Sequence, residues 1–194
     1  NYEENFPSRV RVLLSSKQTS VGGLLSSNFE HVTLKPYQDY LLFVFDNAYY
    51  QVMKIQSGCV VQFQNHSDGL IVETGDGIIG PFQKSSRFYI KPFSKDSAVE
   101  IVEKSKNRYS GGFEIFVNDE GGLSVINDLP IEEYLKSVVS SEMPSTYHPE
   151  VLKAQAVASR TYTLSKILSD RRYARLGANI DDSTNFQAYN FQKP

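Results

Sequence analysis

Up to about residue 127, apolar and polar positions come in short alternating runs. Segments 9–14, 31–35, 40–45, 50–55, 59–63 and 70–74 are rich in Val, Leu, Phe and Tyr, and clusters of Ser, Gly, Asn and Asp separate them. That spacing predicts strands joined by hairpins. Two more strands are expected at 87–91 and 109–117. In the second, Phe113, Ile115 and Val117 fall on one face and Glu114 and Phe116 on the other. Asn118-Asp119-Glu120-Gly121-Gly122 then turns the chain into 123–126, a hairpin signal.

From Asn127 the period becomes helical. Leu129-Pro130 followed by Glu132 and Glu133 marks a helix start, since Pro suits the first helical turn and carboxylates suit the positive end of the helix dipole. Ile131, Leu135 and Val138 form one apolar face. Pro144 ends this helix by pushing its predecessor out of the α region. A second start at His148-Pro149-Glu150 opens a longer helix over 151–168, with Arg171 and Arg172 past its last turn and Gly177 as the expected breaker. Residues 178–194 are polar and dotted with aromatics, and are expected to form a loop or strand. The fold class is therefore α+β: a β-rich N-terminal region, 1–86, packed against a region of one hairpin and two helices, 87–194. Two small domains and one continuous domain both fit this pattern.

The chain has 194 residues, enough for a core without disulfide staples. Its 20 Lys and Arg against 22 Asp and Glu give a net charge of -2, which argues against nucleic acid as a partner. The single cysteine, Cys59, excludes an intrachain disulfide and a cysteine-rich zinc module. No run approaches the roughly 18 apolar residues of a membrane helix.

Gly75-Asp76-Gly77-Ile78-Ile79-Gly80 spells G-x-G-x-x-G, but Pro81-Phe82-Gln83-Lys84 follows in place of an amphipathic helix. A turn between strands is expected there, not a phosphate cradle. His31, His66 and His148 are widely separated and make no metal-ligand spacing. Cys59, in Gly58-Cys59-Val60-Val61, is expected to be a small buried hydrophobe. Glu142 lies about three turns beyond Ile131, which returns it to the apolar face of Leu135 and Val138. A carboxylate desolvated there, near the negative end of a helix dipole, suits a general acid. The competing reading is a residue that frays into solvent in the last turn. Lys153, Gln155, Ser159, Arg160 and Tyr162 alternate with Ala154, Ala156 and Ala158, a pattern fitting either a tightly packed helix or a ligand-facing one. Arg171, Arg172 and Arg175 fit a solvated helix end or an anion patch.

Three blocks of text resemble the stage II sporulation protein D family: Leu129 to Val139, then Glu142-Met143-Pro144, then Leu152-Lys153-Ala154-Gln155-Ala156-Val157-Ala158-Ser159-Arg160-Thr161-Tyr162. They are similar to the family's L-x-x-E-x-Y-L-x-x-V-V-x-x-E-M-P and L-K-A-Q-A-V-A-A-R-T-Y, with Ser137 and Ser159 as departures. Asp181 to Tyr189 is similar to its D-x-x-x-x-Q-x-Y segment. The resemblance implies a lytic transglycosylase acting on peptidoglycan glycan strands stripped of stem peptides, with Glu142 as the catalytic acid and base. It makes Lys153, Gln155 and Arg160 candidates for positioning substrate or orienting the acid, and Gln187 and Tyr189 candidates for lining the glycan groove, the tyrosine by stacking on a sugar. No cofactor and no metal are expected, because the Cys and His that some relatives carry after the second helix are missing here.

The rival implied by the same resemblance is a noncatalytic, peptidoglycan-binding amidase enhancer whose partner is a cell-wall amidase. A third reading makes both helices packing elements and the first half an adhesion module. The expected location is the cell envelope outside the cytoplasmic membrane, with any export signal or anchor in a segment this sequence lacks. Relatives continue past the Gln-x-Tyr segment, so either the chain is shortened at its C-terminus or part of the family's usual site is missing.

Overall fold

A computed structural model of the chain describes residues 6–104 and 107–189. In chain order the strands are β1 (Arg9–Leu13), β2 (Lys17–Gln18), β3 (Leu24–Ser26), β4 (His31–Pro36), β5 (Tyr40–Asp46), β6 (Ala48–Ile55), β7 (Val61–His66) and β8 (Gly69–Thr74). They continue with β9 (Gly77–Phe82), β10 (Arg87–Pro92), β11 (Val99–Ile101), β12 (Asn107–Tyr109), β13 (Gly112–Val117) and β14 (Leu123–Pro130). Helices α1 (Ile131–Glu142) and α2 (Pro149–Ser169) follow, and β15 (Ile180–Asp181) closes the series.

Two sheets carry the fold, ordered β15-β1-β14-β13-β10-β5-β6 and β12-β11-β4-β7-β8-β9, with β2 and β3 as a separate ribbon. Their inner faces share one core, in which Phe63 of β7 and Phe82 of β9 both pack on Phe88 of β10. The architecture is α+β, as the patterning predicts. Both sheets take strands from each side of residue 86. The β13–β14 hairpin leads without a gap into α1, with Pro130 ending the strand and capping the helix.

Local chemistry explains the helix limits. Ile131, Tyr134, Leu135 and Val138 bury the core-facing side of α1, and Glu132 and Glu133 occupy its first turn. The helix stops at Glu142 because Met143 is extended ahead of Pro144. At the start of α2 the His148 ring accepts the Glu150 amide, and Pro149 opens the helix. It ends at Ser169, one residue past the expected 168, with Asp170 as its C-cap. Gly177, the expected breaker, takes the left-handed position after the short helical turn Ala174–Leu176.

Some expectations need correction. Cys59 is exposed, not buried, because it ends a turn in which its amide bonds to the Gln56 carbonyl. The G-x-G-x-x-G text is the expected turn between strands: Gly77 to Phe82 form β9, which pairs antiparallel with β8. In β13 both faces are buried, and Glu114 is 3% exposed between Arg11 and Arg87. Strands β2, β3, β11 and β15 are two or three residues long, too short to show a period. Of the expected C-terminal loop, residues 190–194 lie outside the described residues.

Lys104 and Asp182 form a buried ion pair at 2.7 Å, with the Lys104 ammonium also donating to the Ser15 carbonyl at 2.6 Å. Removing the cation while leaving the carboxylate is costly, so Lys104→Met is expected to lower stability by about 3–5 kcal/mol in urea unfolding. Burial raises the phenols of Tyr109 and Tyr189 well above their ordinary value of 10 and that of Tyr40 to about 12. The folded chain therefore holds these protons more tightly than the unfolded chain. Stability is fully present below pH 10 and is expected to fall as pH rises from 10 through about 12, followed by phenolate absorbance and circular dichroism.

Candidate functional site

Three elements converge at the end of α1: the helix itself, α2, and the segment from Asp181 to Tyr189. That segment is pinned at both ends. At its start, the Asp182 carboxylate accepts from the Ser15 amide at 3.0 Å and from Lys104, while Asp181 accepts from the Tyr173 hydroxyl at 2.6 Å and the Ser183 amide at 2.8 Å. At its far end, the Tyr189 hydroxyl donates to Asn127 Oδ1 at 2.7 Å. Asn127 is fully buried and donates in turn to the carbonyls of Ser110 and Gly112, each at 2.9 Å. Every polar atom of the Asn127 amide is thus used.

Between these pegs, Gln187 ties the segment to both helices. Its amide nitrogen donates to the Ser159 carbonyl of α2, and its oxygen lies 3.1 Å from the Thr163 hydroxyl and 3.5 Å from that of Tyr134 on α1. Ser159 and Thr163 are the buried residues of α2, four apart on one face. Burial raises the Tyr134 phenol, and the Glu142 charge adds to that effect. Tyr134 therefore serves here as a neutral donor.

The consequence falls on Glu142. The amide of Ala188, next to Gln187, donates to Glu142 Oε1 at 3.1 Å. Glu142 is exposed, so the expected desolvation is absent. Its azimuth matches that of Leu135 and Val138, but α1 has left the core by its last turn, where Ser140, Ser141 and Glu142 all face solvent. What holds this carboxylate is a backbone donor rather than an apolar pocket.

Beside α1 runs a cleft of about 390 Å³ against α2, with Glu132, Leu135, Val139, Met143, Leu152 and Arg160 in its wall. Arg160 crosses it to grip Glu132 through Nε at 2.9 Å and a second nitrogen at 2.7 Å. The guanidinium holds the Glu132 carboxyl below its ordinary range. Lys153 points to solvent and pairs with Glu150, and Gln155 bonds to the Ser159 hydroxyl. Among the described residues no hydrogen bond or ion pair joins Lys153, Gln155 or Arg160 to Glu142.

Tyr189 corrects an expectation. At 3% exposure, with its ring against Tyr109 and Tyr134, it lies in the core and offers no face for a sugar. Gln187 likewise spends its amide on the two helices. The sequence reading missed Asn127, Tyr134, Thr163 and the Ala188 amide. Ser159 and Thr163, polar at helical spacing among alanines, were the available signal. Among the described residues no cluster of three or more His, Cys, Asp or Glu is placed to hold a metal ion, and no helix is long and apolar enough to cross a membrane.

Residues 119–193 match the family model described as Stage II sporulation protein. The chain is 45% identical over 65 residues to Stage II sporulation protein D of Bacillus subtilis, covering 33% of this chain and 19% of that one. An uncharacterized protein of Brachyspira hyodysenteriae is 40% identical over 76 residues, 39% of this chain and 20% of its own. An amidase enhancer of Bacillus subtilis is 42% identical over 55 residues, 28% of this chain and 6% of its length. The chain thus spans about a fifth of the first two relatives. No solved structure matches.

Tyr189→Phe leaves Asn127 Oδ1 buried without its donor and is expected to cost about 1–3 kcal/mol in thermal unfolding. Arg160→Ala breaks an exposed pair and is expected to cost less than about 1 kcal/mol in the same measurement.

Proposed function

We propose, from the match of residues 119–193 to the model described as Stage II sporulation protein and the 45% identity over 65 residues to Stage II sporulation protein D of Bacillus subtilis, that this protein is a lytic transglycosylase of peptidoglycan glycan strands freed of their stem peptides. The observation that carries the reading is the exposed Glu142 carboxyl, fixed through one oxygen by the Ala188 amide at the end of α1. The amide occupies Oε1, so Oε2 carries the transferred proton. Protonation of the oxygen between N-acetylmuramic acid and N-acetylglucosamine breaks the C1–O bond and leaves an oxocarbenium-like sugar. Glu142, now a carboxylate, takes the proton of that sugar's 6-hydroxyl as its oxygen closes on C1. The product is a 1,6-anhydro end, and the acid is regenerated. One carboxyl suffices, because the intramolecular hydroxyl replaces the water or second carboxylate of ordinary glycosidases. The donor helps because proton transfer needs the carboxyl within hydrogen-bond reach in a fixed orientation.

Arg160 and Glu132, in the wall of the cleft beside α1, supply polar contacts to a bound strand. Lys153 and Gln155 lie nearer the start of α2 and serve as outer contacts. Gln187 and Tyr189 act as positioning residues that set the Ala188 amide. The substrate puts the site of action in the cell envelope, outside the cytoplasmic membrane.

A second reading is favoured by the similarity to an amidase enhancer: a noncatalytic protein that binds wall glycan and stimulates a partner amidase. The two differ in one observable, since an enzyme releases anhydro-ended sugars alone and an enhancer releases nothing without its amidase. Glu142→Gln is expected to cut release of anhydro-ended products by about 10²–10⁴-fold while glycan binding stays, read by mass spectrometry of soluble products and by strand co-sedimentation. Equal release by both proteins overturns the assignment.

A further inference from the structure

The outer face of the seven-stranded sheet is covered only in part. Tyr173, Leu176 and Ala178 lie over Leu13, Phe116 and Ile126 at the β1–β14–β13 side. At the β10–β5–β6 side the register turns Phe43, Phe45, Tyr49 and Tyr89 outward, opposite the buried Val44 and Phe88. The rings of Phe45 and Tyr49 are 4.8 Å apart and those of Tyr49 and Tyr89 are 5.2 Å apart. Tyr49 is 58% exposed while Phe43, Phe45 and Tyr89 are half-buried, and the Lys91 ammonium lies 5.1 Å from the Phe43 ring centre and 5.7 Å from that of Tyr49.

A cleft of about 450 Å³ separates these rings from the Ala174–Leu176 turn, and its polar wall is Arg11, Arg87, Glu114 and Arg175. The nearly buried Glu114 carboxylate bonds to Arg11 and Arg87 and accepts from the Tyr89 hydroxyl at 3.2 Å. Backbone carbonyls fix the same guanidiniums: Gly177 takes Arg11 at 2.5 Å and Leu176 takes Arg87 at 3.1 Å. The arginines are therefore held in place before any ligand arrives. Arg175 is exposed and makes no ion pair among the described residues. Asp128 also pairs with Arg11, at 2.9 Å, so among the described residues Arg175 is the guanidinium of this wall without a carboxylate partner.

Aromatic rings beside rigid cations fit a ligand that offers an apolar ring face and carries an anionic group. We propose that this cleft is a second binding site, taking a carboxylate-bearing glycan with a sugar ring on Tyr49 and its carboxylate on Arg175 and Arg87. Glycan strands without stem peptides have this chemistry, because each muramic sugar then bears a free lactyl carboxylate. The choice of that strand rests on the function proposed above. Single-stranded nucleic acid also combines stacking with anions, but the chain's negative net charge works against it. The cleft shares no wall residue with the one beside α1, so it would hold a strand independently of the reacting bond.

The test measures the affinity of Glu142→Gln protein, which leaves strands intact, for peptide-free glycan strands and for strands whose lactyl carboxylates are converted to methyl amides. Added Tyr49→Ala or Arg175→Ala, both at exposed positions, is expected to weaken strand binding by about threefold to tenfold with unchanged thermal unfolding. The amidated strand is expected to bind more weakly to the parent and to be indifferent to Arg175→Ala. Affinity unchanged in both variants overturns the second site. So does tighter binding of oligothymidylate that both variants lose, which would assign the face to nucleic acid. Anhydro-product release with Glu142 restored separates the two proposals. Release that continues while Tyr49→Ala leaves affinity unmoved removes the second site alone, and absent release with Tyr49-dependent binding removes the transglycosylase alone.

Discussion

The ion pair between Lys104 and Asp182 is the constraint on which the site depends. A carboxylate 1% exposed is unfavourable unless every oxygen is answered. The answers come from distant stretches of chain: the Ser15 amide and the Gln18 side chain just after β1, and Lys104 beyond β11. These bonds fix where residues 182 and 183 lie after β15. Such a pair adds little net stability over an apolar alternative, but it penalises every arrangement that separates its members. Specificity of placement is what the site needs.

That placement travels nine residues along the chain. With Asp181 and Asp182 fixed at one end and Tyr189 bonded to Asn127 at the other, the intervening backbone spans a short gap over α1 and α2. Gln187 then joins both helices. The Ala188 amide meets Glu142 as a result of these contacts, none of which involves the acid itself. The two sheets supply a rigid base, and the helices supply one exposed carboxylate whose orientation the base determines.

The long elements were legible because their side chains repeat with the period of the backbone. Runs such as 40–45 and 70–74 fell within observed strands, and Ile131, Leu135 and Val138 buried the expected face. What sequence could not supply was the identity of the neighbours. The alternation placed Glu114 and Phe116 on one face, but not the arginines that bury Glu114: Arg11 of β1, 103 positions away, and Arg87 of β10, 27 away, are brought to it by the sheet order. Tyr189 looked like a sugar platform until Asn127, 62 positions earlier, gave its hydroxyl a buried partner. The azimuth of Glu142 was readable from the helical repeat, but the point at which α1 leaves the core was not.

The central claim is that Glu142 directs an intramolecular closure rather than hydrolysis. The most direct measurement is mass spectrometry of sugars released from peptide-free glycan strands by this protein alone in heavy-oxygen water. The account predicts new ends that carry no label and weigh one water less than a reducing end. Label at C1 of the released sugar, or no release at all, would contradict it.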